Sequence, residues 1–129
     1  MRIQKKSSIS KQEIEFRLAE IAPPLKPEEA MVEANRCLYC YDAPCAEACP
    51  THIEIPRFIK QIASKNTRGA ARTIFQANAL GRSCSHVCPV EALCEGSCVY
   101  QAWQKKPIEI ARLQRYATDR QISGNRPLF

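Results

Sequence analysis

Glycine is scarce in this chain of 129 residues: there are 4, at Gly69, Gly81, Gly96 and Gly124, and no two stand close enough for a G-x-G. Clustered glycines let a backbone approach phosphate, so the dinucleotide-binding turn and the P-loop are both excluded. By itself the chain lacks any familiar means of holding a flavin, a nicotinamide or ATP. Long apolar runs are missing as well. Nothing approaches the roughly 20 residues that a membrane-spanning helix needs. The basic start Met1–Ser8 has no apolar segment behind it, so it does not read as a secretory signal. The expectation is a cytoplasmic chain with no membrane partner. Sustained apolar/polar alternation rich in β-branched residues is also absent, which argues against strands.

A strong charge of one sign is lacking too. Lys and Arg number 19 against 13 Asp and Glu, a net +6. The basic residues are scattered, with small groups at Arg2, Lys5, Lys6 and at Lys105, Lys106, and no aromatics interleave with them. This reads as solvated surface charge and not as a nucleic-acid stripe.

Helix signals recur instead. Ser10 and Glu13 have capping-box spacing, followed by Ile14, Leu18 and Ile21 on one stripe, and Pro23-Pro24 ends that helix. Pro27 suits a first helical position, with Glu28 and Glu29 in the first turn, and the helix is expected to run toward Cys40. Pro56 opens a third helix carrying Phe58, Ile59 and Ile62. A fourth spans about 67–80, carrying Ala70, Ala71, Ile74, Phe75 and Asn78, with Gly81 as the residue that ends it. Pro107 opens a last helix with Ile110, Leu113, Gln114 and Ala117 on one stripe and Gly124 beyond its end. The predicted class is all-α.

What is abundant is cysteine, with 8 in the chain. In a small secreted domain these would read as four disulfides; in a reducing interior they read as metal ligands. The first array is Cys37-x2-Cys40-x4-Cys45-x3-Cys49-Pro50 and the second is Cys84-x3-Cys88-Pro89-x4-Cys94-x3-Cys98. Three close cysteines, a fourth and then proline form the general shape of a ferredoxin ligand run, in which the fourth cysteine can cross to another cluster. On a helix the x2 and x3 spacings would put thiolates on one side of a turn, about 5–6 Å apart at Cβ. No single helix can surround a cubane, so two arrays exchanging ligands are expected to tie the halves of the chain together. Zinc remains the alternative, because tetrahedral thiolate sites suit it as well. Zinc arrays usually come as separated pairs, however, and here each array packs its cysteines closely, with Cys-Pro in both. His52 and His86 could bind metal but read as surface donors or as partners of ligands. Tyr39, Tyr41, Tyr100 and Trp103 flank the arrays and are expected to keep water off a cluster.

These residues resemble a known family. Cys37-Leu-Tyr-Cys40-x4-Cys45-x3-Cys49-Pro50 is similar to the N-terminal domain carrying two 4Fe–4S clusters in dihydropyrimidine dehydrogenase. So are Asn78-Ala-Leu-Gly-Arg-Ser-Cys84-Ser-His-Val-Cys88-Pro89, Leu93-Cys94-Glu-Gly-Ser-Cys98 and Pro107-Ile-Glu-Ile-Ala-Arg-Leu-Gln114-Arg-Tyr. A similar domain opens the small subunit of bacterial glutamate synthase. The match runs from about Glu28 to Asp119.

The resemblance implies an α-helical ferredoxin-like fold and a division of ligands. One cluster would take Cys37, Cys40, Cys45 and Cys98; the other would take Cys49, Cys88, Cys94 and the side chain of Gln114, with Cys84 left over. Gln114 lies on the apolar stripe of the last helix, where an unpaired amide would cost about 1–3 kcal/mol. Its partner is either iron or a neighbouring loop. Glutamine at this position leans toward the pyrimidine-reducing branch. The implied organisation is an N-terminal helix and linker at 1–26, a two-cluster domain at 27–123, and at 124–129 a linker toward an FAD domain that is not in this chain. Its linker-like end reads as that of a fragment of a larger oxidoreductase. The implied role is a non-catalytic relay passing single electrons between an FAD- and NAD(P)H-dependent flavoprotein domain or subunit and a second redox subunit. The other readings are a zinc-stabilised interaction module and an iron–sulfur redox sensor.

Overall fold

The structure, a computed structural model, describes residues 9–129. The basic group at Arg2, Lys5 and Lys6 lies outside the described residues. Eight helices follow one another there: α1 Lys11–Arg17, α2 Pro27–Asn35, α3 Pro44–Glu47, α4 Ile55–Ala63, α5 Thr67–Ala77, α6 Gly81–Val87, α7 Val99–Ala102 and α8 Ile110–Ser123. No strand occurs among the described residues, and none of these helices is long and apolar enough to cross a membrane.

The core grows from α4. Its apolar residues Ile55, Phe58, Ile59 and Ile62 are all buried, and proline in its first turn stands where no backbone donor is needed. Helix α4 packs between α2 and α5, while α8 lies across α5 and α6. Ala30 and Ala34 of α2, Ala70 and Ala71 of α5, and Ala117 of α8 are buried at these contacts, and their small side chains let the axes come close. Asn66 caps α5 by accepting from the Gly69 amide at 2.9 Å. The stripe Ile110, Leu113, Gln114 and Ala117 is buried as the spacing predicts.

Several expectations are corrected. Helix α2 stops at Asn35 and does not run on to Cys40, so Cys37 and Cys40 lie on a loop in which Tyr39 has φ 51°. Two tyrosine hydroxyls reach carbonyls at the helix end: Tyr39 donates to Ala34 O (3.0 Å), which also accepts from the Cys37 amide (3.2 Å), and Tyr100 donates to Arg36 O (2.8 Å). Gly81 does not end α5, which stops at Ala77. It opens α6 with no positive φ. The glycine is there for space, because a Cβ on it would stand 2.5 Å from Ile74 Cγ2. Helix α8 starts at Ile110, after Pro107, because the Glu109 amide is drawn to the Glu33 carboxylate at 2.9 Å. Short helices α3, α6 and α7, within or beside the cysteine arrays, escaped the sequence reading.

At the N-terminus, Ser10 accepts from the Glu13 amide (3.2 Å), but the Glu13 carboxylate pairs with Arg17 and the capping box is only half formed. The stripe of Ile14, Leu18 and Ile21 is exposed, not packed. This segment is held to α8 by polar contacts, with Arg115 reaching Glu20 (2.7 Å) and Arg112 reaching Pro23 O (2.9 Å).

Candidate metal centres

The cysteines gather around two cavities. The first is lined by Cys37, Cys40, Cys45 and Cys98 together with Ile59, Ile108 and Tyr100. Cys37 and Cys40 come from the loop after α2, Cys45 from α3, and Cys98 from the residue that precedes α7. The second, partly open to solvent, is lined by Cys49, Cys84, Cys88, Cys94, Asn78 and Gln114. Ile55, 2% exposed, forms part of both walls. Each cavity thus takes cysteines from both arrays, and all eight cysteines are free thiols.

Both chambers are dry enough to change thiol chemistry. Burial pushes the Cys45 thiol up to about 12, helped by its neighbours Cys37 and Cys98. Burial likewise pushes Cys94 up to about 12, with Glu95 beside it adding to the effect. Cys37 and Cys88 are raised for the same leading reason. Such thiols surrender their protons to a bound cation, not to water, so metal binding must release protons. Among the described residues no three His, Cys, Asp or Glu side chains draw together tightly enough to hold one metal ion. The donors instead stand spread along the walls of the two cavities. Soft thiolates spread around an apolar cavity suit an iron–sulfur cluster.

Gln114 is 7% exposed and donates through Nε2 to Gly81 O at 2.6 Å. That contact orients the amide. Among the described residues no donor reaches its Oε1, and the side chain lines the second cavity. Both sequence alternatives therefore have a part in the geometry: the amide nitrogen is held by the neighbouring helix, and the oxygen is available to a cation.

The flanking aromatics divide. Tyr100 lines the first cavity and Tyr39 packs against the core, but Tyr41 is 99% and Trp103 is 56% exposed, so neither shields a chamber. His52 and His86 are exposed and line neither chamber, and His86 Nδ1 lies 2.8 Å from Arg82 O.

Sequence reading missed a brace beside the first cavity. Arg36 forms a forked pair with Glu33 (2.7 and 2.8 Å), donates to Lys106 O (2.7 Å) and lies over the Tyr100 ring at 5.5 Å. The placement of Arg36 directly before Cys37 was the one available hint. It also missed the role of Asn78, whose Oδ1 accepts from the Leu80 amide (2.9 Å) while its Nδ2 donates to Cys84 Sγ (3.1 Å).

An all-helical domain with two cysteine-lined chambers has the form of an iron–sulfur carrier. Residues 13–126 match the family described as dihydropyrimidine dehydrogenase domain II, 4Fe–4S cluster, and the chain belongs to that family. Its cofactor is thus of the 4Fe–4S type, and the family is one of electron transfer. Among curated relatives, the NAD-dependent dihydropyrimidine dehydrogenase subunit PreT homolog of Salmonella typhi is 49% identical over 102 residues, covering 79% of this chain and 24% of the relative. The PreT subunit of Escherichia coli K12 is 47% identical over the same length, with the same coverage. The glutamate synthase (NADPH) small chain of Halomonas elongata is 36% identical over 101 residues, covering 78% of this chain and 21% of the relative. The chain spans about a quarter of the length of these relatives.

Proposed function

We propose that the chain is a relay for single electrons that holds two 4Fe–4S clusters, one in each cysteine-lined chamber. The observation that carries this reading is the pair of chambers, each drawing thiols from both arrays and separated by Ile55. The ligands of the first would be Cys37, Cys40, Cys45 and Cys98. Those of the second would be Cys49, Cys88, Cys94 and Gln114 Oε1. When bound, a 4Fe–4S cluster takes up and returns one electron with little change of shape.

The protein's own residues do the rest. Ile59, Ile108 and Tyr100 exclude water from the first chamber, and Ile53 and Leu93 do so in the second. The Glu33–Arg36–Tyr100 brace holds the loop of Cys37 against the segment of Cys98. Gly81 lets α6 sit close against Ile74 of α5, and its carbonyl orients Gln114 of α8.

In this reading electrons arrive from FAD and NAD(P)H on a flavoprotein domain or subunit and leave to a second redox subunit. It is supported by relatives named as NAD-dependent or NADPH enzymes, roughly three quarters of whose length lies outside the match. The pyrimidine-reducing branch is favoured by the higher identity to PreT and by glutamine at position 114. The boundaries 27–123 would enclose the relay, with 1–26 as an N-terminal arm and 124–129 leading toward the flavin domain.

The test is metal analysis of protein prepared without oxygen. Equal iron and acid-labile sulfide, enough for two clusters, and two distinct paramagnetic resonance signals on reduction are expected. Stoichiometric zinc with no sulfide would identify a zinc-stabilised module instead. Clusters that are shed on the first oxidation and reduction cycle would identify a sensor.

A further inference from the structure

The second cavity has more donors than a cluster has irons. Cys49, Cys88, Cys94 and Gln114 would fill four positions, yet Cys84 lines the same wall. Its placement follows from α6, where Gly81 and Cys84 stand at i and i+3 on one face and Cys88 follows the helix's last residue. Gln114 is hydrogen-bonded to the first of these residues, so the amide sits one turn from Cys84. One observation marks this place as one that takes a ligand, and a second shows how Cys84 is held beside it. The Gln114 side chain is 7% exposed with its oxygen unpartnered among the described residues. Cys84 Sγ in turn receives an N–H from an amide whose own oxygen is tied down: Asn78 Oδ1 holds the Leu80 amide, which turns its Nδ2 onto the sulfur at 3.1 Å.

We propose that Cys84 is a reserve ligand, parked by Asn78, that takes over the iron of Gln114 when the amide lets go. A neutral carbonyl oxygen is a weaker ligand for iron than a thiolate, so this is the position at which exchange is easiest. The exchange balances without an oxidant or reductant. The iron–oxygen bond to Gln114 breaks, an iron–sulfur bond to Cys84 forms, and the thiol proton leaves to solvent through the open side of the cavity. The iron keeps its oxidation state, and the cluster gains one negative charge. The fold thereby protects a cluster whose fourth ligand is weak from losing an iron.

The inference rests on the second cavity being a cluster site, and the experiment separates the two. The full chain, isolated anaerobically with its clusters intact, is treated with iodoacetamide, and labelled peptides are identified by mass spectrometry. In the parent, Cys84 alone is expected to be labelled. In Gln114→Ala the iron content should hold while Cys84 labelling is lost. Adding Cys84→Ala to Gln114→Ala should then remove one iron and give the paramagnetic resonance signal of an oxidised three-iron cluster. Gln114→Leu, which keeps more of the buried volume, serves if the alanine variant does not fold. Full iron content in Gln114→Ala or Gln114→Leu with Cys84 still labelled would overturn the reserve role alone. Protection of Cys84 in the parent would show it to be a resident ligand and would overturn the ligand assignment of the second cavity as well.

Discussion

Tyr100 donates its hydroxyl to the backbone carbonyl of Arg36 at 2.8 Å, across 64 residues of sequence. The acceptor directly precedes Cys37 and the donor follows Cys98 by two positions, so this bond ties the two cysteine arrays together at the first cavity. The Arg36 guanidinium lies on the same ring at 5.5 Å, and a phenylalanine would preserve that stacking. Tyr100→Phe should therefore cost only the hydrogen bond, about 1 kcal/mol, or a fall in Tm of about 4 °C. Thermal unfolding of the cluster-loaded protein measures it. A fall of this size with unchanged iron content is expected; no fall at all would mean that the bond to Arg36 does not bear on stability.

Gly81 faces Ile74 so closely that an added Cβ would sit 2.5 Å from its Cγ2. Gly81→Ala gains up to about 1 kcal/mol of helix propensity. Overpacking of a buried contact costs about 1–3 kcal/mol, so the net effect should be destabilising. The shift would also move the Gly81 carbonyl away from Gln114 Nε2. Gly81→Ala should thus perturb the spectrum of the second cluster and leave that of the first alone. A more stable variant with both spectra unchanged would show that α6 has room to move.

How much of this could be read from sequence depended on the distance over which each feature is decided. The stripes of α4 and α8 and the proline starts of α2 and α4 are local, and they were legible. The end of α2 was not, because the loop that follows it is held by contacts from a distance, the Tyr100 hydroxyl on Arg36 O among them. Gly81 misled for a similar reason: its role is contact with Ile74 and not backbone freedom, and spacing alone cannot tell the two apart. The exposed stripe of Ile14, Leu18 and Ile21 shows the converse, since periodicity indicates a helix without saying what it packs on. That the two arrays exchange ligands was legible in their spacing, but the particular division of cysteines came from the family resemblance, because spacing left the pairing open.

Asp119 stands between Arg82 (2.6 Å) and Arg115 (3.2 Å), joining α6 to α8 beside the second cavity. Burial pushes its carboxyl up, but the two guanidiniums outweigh that and hold it below its ordinary value of 3.8. A carboxylate lowered by folding adds stability that is present above the ordinary value and is lost as pH falls through the folded one. Asp119→Asn should cost about 1 kcal/mol near pH 7, the upper range for such partly exposed pairs. The gap between parent and variant should shrink below pH ~4, where the parent also loses the charge. Urea midpoints at several pH values check this. A gap that stays constant into acid would mean that the ion pairs contribute nothing.

Cys98 tests the division of ligands. It is 9% exposed, precedes α7, and lines the first cavity with Cys37, Cys40 and Cys45, although it closes the second array in sequence. If proximity in sequence decided the ligands, Cys98 would serve the same cluster as Cys88 and Cys94. If the cavities decide, it serves the other. Cys98→Ser should accordingly lose about half the iron and the resonance signal of the first cluster, while the second stays reducible. Cys94→Ser should give the complementary loss. The substitution is nearly isosteric, so the helices should survive in both variants, and far-UV circular dichroism would report any general unfolding. If Cys98→Ser instead removes the cluster held by Cys88 and Cys94, the proposed assignment of thiols to the two chambers is wrong.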